Sequence, residues 1–206
     1  MREGAEDEYE AELGNALERG DAEAATRSVL ARHGPEILSF LSVRLGGEEA
    51  GREVYALFAE DVWRGVSGYR FRCSLRIWLY ILARNAASRY KRAPHRRPER
   101  NLPISQHEAS AGAHAPRDPT RPYQHTAVKQ RVRALRERLS SSDQTLLILH
   151  VDRGLSFVAL ARVMHDGPGL PEGELLRREA ARLRKRFERL KVRLRELAVE
   201  EGLLAE

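Results

Sequence analysis

A proline-rich segment divides this chain and limits what it can fold into. Residues 93–125 contain six prolines at irregular spacing, with Ser, Gly and His and few large apolar residues. Proline lacks a backbone N–H donor and disrupts helix interiors and central strands. We therefore expect 93–125 to be a flexible tether. A chain of 206 residues divided in this way predicts two small domains, one on each side of the tether.

Apolar residues on both sides of this tether recur every three or four positions, which is the spacing of amphipathic helices. We predict an all-α fold with a helical domain at 24–92 and a second at 126–206. Residues 1–23 carry nine acids against two bases and are expected to be a disordered N-terminus. The helices expected in the first domain cover about 24–45, 48–66 and 74–92, the last with an N-cap at Ser74 and a buried face of Leu75, Trp78, Leu79, Leu82 and Ala86.

The second domain is expected to contain a helix–turn–helix. A helix at 126–139 comes first, and a second starts at a cap on Ser142 or Asp143 and ends at Gly154. A short helix follows from an N-cap at Ser156, then a loop and a long helix from about Glu172 to Glu201. This order of a short helix, a turn and a long basic helix is typical of DNA-binding domains.

The long C-terminal helix has two chemically different faces. Its apolar residues follow an alternating spacing of four and three, a heptad stripe: Leu176, Ala180, Leu183, Phe187, Leu190, Leu194 and Leu197. Residues 177–195 carry ten bases and two acids, and most of those bases lie off the stripe. A helix fits the major groove and arginine pairs with guanine, so this helix is a candidate for reading duplex DNA. A coiled coil with charged flanks remains an alternative reading of the stripe.

The first domain combines aromatic and basic residues around the sequence GYRFRCSLRIWLYILARN. Aromatic rings stack on unpaired bases and cations follow the backbone, which favours single-stranded nucleic acid. Tyr69, Arg70 and Arg72 are expected to make contact, whereas Trp78 lies on the apolar stripe and is expected in the core.

The sequence also indicates what the chain does not do. We find no phosphate-binding Gly-rich loop, no zinc-protease motif and no nucleophile–base pair, so we predict no enzyme, no catalytic residue and no cofactor. The single cysteine, Cys73, cannot form a disulfide framework or a zinc site, and no metal site is expected. No apolar run is long enough to span a membrane, so we expect no membrane insertion and a cytoplasmic location. The net charge of +6 is consistent with nucleic-acid binding.

The stretch YALFAEDVWRGVSGYRFRCSLRIWLYILARNAASRYKR resembles region 2 of the extracytoplasmic-function (ECF) sigma factors of the sigma-70 family. Leu75, Trp78, Leu79, Leu82, Ala83, Arg84 and Asn85 stand at the places of the family pattern. Residues 128–197 resemble region 4, the helix–turn–helix region. Two departures stand out: AGREVYA replaces the usual acidic stretch of region 2, and the loop from His165 to Glu174 is longer than the family's tight turn.

The resemblance implies a role for each matching segment. The chain would bind core RNA polymerase and promoter DNA and direct initiation, and an anti-sigma factor is a further candidate partner. Contacts to the polymerase would come from Val54, Tyr55, Leu57, Phe58, Glu60, Asp61 and Trp63. The −10 element would be bound by Tyr69, Arg70, Phe71, Arg72, Arg76, Arg84, Asn85, Ser88 and Arg89. The −35 element would be bound by Ser156, Arg177, Arg178, Arg182, Arg184, Lys185, Arg186 and Arg189.

Two other functions fit the same sequence. A self-contained helix–turn–helix regulator could dimerise through the stripe at 176–197 and bind a palindrome without polymerase. A structural adaptor or anti-sigma-like protein could use the basic faces to bind acidic partners.

Overall fold

The computed structural model describes residues 3–92, 131 and 134–204, and the regular structure in this part of the chain is entirely helical. The prediction of an all-α fold is confirmed. The chain forms two compact units, Met1–Arg100 and Asn101–Glu206. The predicted tether at 93–125 lies outside the described residues. No helix within the described ranges is long and apolar enough to cross a lipid bilayer.

The described part of the first unit consists of helices joined by short turns. The three helices predicted for it begin and end within about two residues of their expected positions, because caps mark their ends. Asp21 accepts a hydrogen bond from the Ala24 N–H at 2.9 Å, and Gly46 ends the second helix at a φ of +79°. A 3-10 turn at Val66–Gly68 precedes the aromatic loop. The helices are α1 (Glu3–Glu18), α2 (Ala22–Leu45), α3 (Glu48–Gly65) and α4 (Leu75–Arg92).

Helix α3 supplies the centre of the first unit's core. Its residues Val54, Phe58 and Val62 lie at four-residue steps and are at most 1% exposed, so one stripe of α3 is fully covered. Helices α2 and α4 both pack on α3. Phe40 of α2 meets Tyr80 of α4 edge to face, with ring centroids 5.3 Å apart, and this contact joins the two outer helices.

The N-terminal segment differs from the expectation. The acidic composition of residues 1–23 predicts disorder, but Glu3–Glu18 form α1. Tyr9, Leu13 and Ala16 are buried at steps of four and three, and α1 packs on α2. The guanidinium of Arg32 lies 4.3 Å from the centre of the Tyr9 ring. These three buried side chains hold α1 against α2. The prediction of disorder rested on the number of acids and did not consider the spacing of the apolar residues.

The second unit contains the predicted short and long helices. Residues 134–137 are helical; α5 (Ser141–Leu147) continues into a π-helical turn (Ile148–Asp152), and α6 (Phe157–Met164) and α7 (Gly173–Glu200) follow. The prediction of a cap at Ser142 or Asp143 is wrong: Ser140 is the cap, and its hydroxyl accepts from the Asp143 N–H at 3.1 Å. The predicted cap at Ser156 is confirmed, with its hydroxyl 3.2 Å from the Ala159 nitrogen.

The heptad stripe of α7 is used inside the second unit. Leu183, Leu190 and Leu197 are at most 8% exposed, and α7 packs mainly on α6. The His150 ring of the π-helical turn contacts both Phe157 of α6 and Phe187 of α7, at centroid distances of 4.4 and 4.6 Å. Packing within one chain therefore accounts for the spacing that also fits a coiled coil.

Candidate nucleic-acid interface

The loop between the 3-10 turn and α4 places its two aromatic residues in opposite ways. Tyr69 is only 6% exposed, and its hydroxyl donates to the Cys73 carbonyl at 2.6 Å. Its ring packs against Trp78, with centroids 5.3 Å apart. The prediction that Tyr69 makes contact with nucleic acid is therefore not supported, because its hydroxyl and ring are both used to close the loop.

Phe71, two residues further on, is held outward. Its side chain is 50% exposed, and its φ of +53° makes it the single non-glycine residue with positive φ among the described residues. A bulky residue in the left-handed region costs on the order of 1–2 kcal/mol. The outer face of Tyr69 supports the Phe71 ring at a centroid distance of 4.6 Å. The loop thus presents an aromatic ring to solvent at an energetic cost, which is the behaviour expected of a binding residue.

Arginines flank this exposed ring. Arg70 and Arg72 are both exposed, and Arg70 donates from Nη1 to the Ser67 carbonyl at 2.8 Å. That hydrogen bond holds the Arg70 guanidinium beside the 3-10 turn. Trp78 is only partly buried, and lies against Gly65, where a Cβ would be 3.1 Å from the indole. We call Arg70, Phe71 and Arg72, with Trp78 behind them, the aromatic loop.

Arg76 is held away from a ligand by a structural ion pair. Its Nε donates to Glu36 Oε1 at 3.1 Å, and the Tyr80 hydroxyl donates to the same oxygen at 2.7 Å. Burial by itself would lower the pKa of Arg76, but the hydrogen bonds and charge of Glu36 outweigh it and raise the pKa above its ordinary value. The assignment of Arg76 to DNA contact is therefore not supported: its guanidinium ties α4 to α2.

The remaining candidates on α4 are partly engaged with protein. Ser88 donates to the Arg84 carbonyl at 2.8 Å, one turn back in the same helix. Arg89 reaches across to Asp61 of α3 at 2.5 Å, and Arg84 contacts the Asn85 side chain at 3.3 Å. Arg89 keeps half of its side chain exposed, so it can still face a phosphate while bridging α3 and α4.

A buried cation near α4, Arg44, was not among the residues predicted from the sequence. Arg44 is 7% exposed; its burial and the nearby charge of Arg84 lower its pKa to about 10. Burial and the charge of Arg44 likewise lower the pKa of Lys91. Arg44 therefore has the cations Arg84 and Lys91 close to it where α2 ends beside α4. In the sequence, Arg44 looks like an ordinary cation at a helix C-terminus.

The residues of α3 that are predicted to contact polymerase include buried and exposed side chains. Val54 and Phe58 are core residues, so the prediction that they contact a partner is not supported: they lie on the stripe that packs against α2 and α4. Trp63 is 49% exposed, and Glu60 is exposed and paired with Arg64 at 2.6 Å. Tyr55, Leu57 and Asp61 are partly exposed. Glu60 and Trp63 are therefore the exposed members of the predicted set on α3.

Helix α7 presents its cations to solvent along much of its length. The exposed members of the predicted set are Arg177, Arg178, Arg182, Arg184, Lys185 and Arg189. Arg184 lies 5.3 Å from the centre of the Phe157 ring, which steadies it by a cation–π contact. Ser156 caps α6, and its hydroxyl accepts from the Ala159 N–H.

Arg186 is the exception on α7. Its Nε donates to Asp143 Oδ1 at 2.7 Å, and the Ser140 hydroxyl donates to the other carboxylate oxygen at 2.6 Å. Burial would raise the pKa of Asp143, but the hydrogen bonds from Arg186 and Ser140 outweigh it and lower the pKa below its usual 3.8. Arg186 therefore fastens α7 to the start of α5.

This pair makes the stability of the second unit depend on acidity. A carboxyl whose pKa is lowered on folding contributes stability above its unfolded pKa, and that contribution disappears as pH falls through the folded value. We expect Asp143→Asn to cost about 1 kcal/mol at pH 7 and to cost less at an acidic pH at which Asp143 is protonated in the folded chain. The measurement is urea unfolding followed by circular dichroism at both pH values. Both tryptophans, Trp63 and Trp78, are in the first unit, so tryptophan fluorescence reports unfolding of that unit and serves as the internal control. An equal loss of stability in Asp143→Asn at both pH values would contradict the role of the charge.

Within the described ranges, no group of three or more His, Cys, Asp or Glu is arranged to hold a metal ion. The four histidines of the proline-rich segment, at 95, 107, 114 and 125, lie outside those ranges. Compared with known proteins, the chain matches no protein-family model, and a search of curated proteins finds no match.

Proposed function

We propose that this chain recognises promoter DNA as a dissociable subunit of bacterial RNA polymerase, in the manner of the ECF sigma factors that its sequence resembles. The first unit would bind the unpaired strand of the −10 element and the polymerase. The second would bind the −35 element as duplex. The chain would act by binding, without making or breaking a bond.

The aromatic loop is the observation that carries this proposal. Phe71 is held outward in a strained conformation, supported by the buried Tyr69 ring, with an exposed arginine on each side. An aromatic face with adjacent cations is suited to an extruded base and its phosphates.

Helix α7 supports the duplex half of the proposal. Its N-terminal half exposes Arg178, Arg182 and Lys185, and a helix of this width fits the major groove. The long loop is fastened to α7 by a contact between His165 Nδ1 and Glu179 Oε1 at 2.8 Å. That contact would keep the direction of α7 constant despite the longer loop.

The competing proposal, a dimeric regulator, is weakened by the burial of the α7 stripe. Leu183, Leu190 and Leu197 already pack inside the second unit, so a dimer through the stripe would have to open that core. An adaptor that binds acidic proteins gives no reason for a strained, outward aromatic ring.

The test is transcription with purified components. We expect the full chain to associate with bacterial core RNA polymerase and to direct new start sites in run-off transcription from a pool of promoter-length DNA fragments. A variant with Arg70→Ala and Arg72→Ala should associate equally well and yield few starts, because the loop acts on DNA and not on the enzyme. Failure of the unaltered chain both to bind core enzyme and to produce start sites would overturn the proposal. A stable dimer that binds duplex alone would favour the regulator.

A further inference from the structure

Four arginines on one edge of α7 line a groove beside the start of α5. They are Arg182, Arg186, Arg189 and Arg193, separated by four, three and four residues, which places them on the same edge of a helix. The groove has a volume of about 420 Å³, and its other lining residues are Leu139, Asp143 and Leu190. We call this the arginine edge. Only three of its four cations were singled out by the sequence.

Asp143 organises the arginine edge without neutralising it. It is the one acid among the residues that line the groove, and it holds Arg186 by the 2.7 Å hydrogen bond. Its charge also acts on Arg189, whose proximity helps to lower the pKa of Asp143. At the far end, Arg193 contacts Glu196 at 3.1 Å. Arg182 and Arg189, which precede and follow Arg186 on α7, are exposed. The groove is therefore positively charged, with two guanidiniums facing solvent and a third fixed between them.

We propose that the arginine edge binds consecutive phosphates along one strand of duplex DNA, as a sequence-independent contact separate from the base-reading face of α7. This inference rests on the proposed function of the second unit. Arginine forks pair with phosphate in two-pronged geometry. The edge extends over the 12 residues from Arg182 to Arg193, about 16 Å of helix, which corresponds to several nucleotides of one strand.

This placement divides the cations of α7 by task. Lys185 and Arg178 lie outside the groove lining and remain the candidates for base edges. The resemblance implies a −35 contact for Arg182, Arg186 and Arg189. These three would bind the phosphates of the DNA backbone, which sets the position of α7 on the duplex and carries no sequence information. Arg186 is fixed by Asp143 and so cannot adjust itself to a base.

The experiment compares two double variants of equal charge. One removes two cations of the arginine edge, Arg182→Gln with Arg189→Gln. The matched control removes two exposed cations outside the groove lining on the same helix, Lys191→Gln with Arg195→Gln. Binding of the full chain to a labelled 30-base-pair duplex of random sequence is measured by fluorescence anisotropy over a series of salt concentrations. A random sequence is the proper probe because phosphate contacts do not depend on the bases.

We expect the edge variant to bind the duplex at least about tenfold more weakly at 0.1 M salt. We also expect its plot of log affinity against log salt concentration to become shallower, by about 0.9 for each phosphate that the variant no longer neutralises. The control variant should change the slope of log affinity against log salt concentration by less than about half of the change seen for the edge variant. Equal slopes for the two variants would overturn the arginine edge and leave the proposed function standing. Absence of duplex binding by the unaltered chain would overturn both. If the edge variant instead binds duplex normally and loses only core polymerase, the edge is a protein-binding surface and our assignment is wrong.

Discussion

Replacing Phe71 with glycine is expected to weaken single-strand binding by about 1–3 kcal/mol, or about 5- to 150-fold, while the first unit keeps its stability to within about 1 kcal/mol. The two effects separate because Phe71 contributes little to the core. Glycine tolerates the φ of +53° without strain, which offsets the removal of the packing between the Phe71 and Tyr69 rings. A variant with lower affinity and unchanged stability is what a ligand-contacting residue should give.

The measurement uses the full chain, alone and bound to core RNA polymerase, with a labelled single strand carrying a −10-like sequence. Stability of the first unit is followed by tryptophan fluorescence during urea unfolding, because Trp63 and Trp78 are both in that unit. Phe71→Tyr is the matched control: it keeps an aromatic face in place and should bind as the unaltered chain does. If Phe71→Gly instead loses more than about 2 kcal/mol of stability and keeps its affinity, Phe71 is a packing residue and the aromatic loop has no role in binding.

The second large effect concerns the contact between α2 and α3. Gly51 is buried where these helices cross, and a Cβ there would lie 2.3 Å from the Ser42 hydroxyl oxygen, 2.8 Å from the Ser42 Cα and 2.9 Å from its backbone nitrogen. Backbone atoms cannot move aside as the end of a flexible side chain can. We therefore expect Gly51→Ala to lower the free energy of unfolding by about 2–3 kcal/mol, even though alanine is the better helix former by about 1 kcal/mol.

Gly14→Ala in α1 is the control for this substitution. Gly14 also lies within a helix, but nothing comes within 4 Å of a Cβ there, so the same change should stabilise the first unit by up to about 1 kcal/mol. Both variants are compared by tryptophan fluorescence in urea. A stabilising Gly51→Ala would mean that α2 and α3 can separate at little cost. Gly51 lies in AGREVYA, the stretch that departs from the ECF pattern, and the close helix crossing supplies a physical reason for a small residue there.

The sequence predicted the helices well and the surfaces poorly. The bounds of α2, α3, α4, α6 and α7 follow from apolar spacing and from caps such as Ser156, because both are local signals. Exposure is not local. Tyr69 and Phe71 are two residues apart in one loop, and no pattern distinguishes them; the Cys73 carbonyl and the Trp78 ring decide which ring is buried.

The same reason explains why the charged candidates differ in how firmly they are held by the protein. Arg76 and Arg186 look like their neighbours in the sequence, but each has an acid from a distant position, Glu36 and Asp143, that holds it in place. Val54 and Phe58 matched a pattern of polymerase contacts, yet both lie on the buried stripe of α3. Ion pairs between residues 40 or more positions apart cannot be read from a periodicity.

By itself the sequence determined the helical class, the order of the helices and the concentration of positive charge on α7, because helix period and capping depend on neighbours three and four residues away. Tertiary structure alone decided which cations are available, which aromatic ring of the loop faces solvent, and that the stripe of α7 is covered within its own unit. Those outcomes depend on side chains brought together from distant parts of each unit, and the free energy of such contacts exists only once the helices are packed.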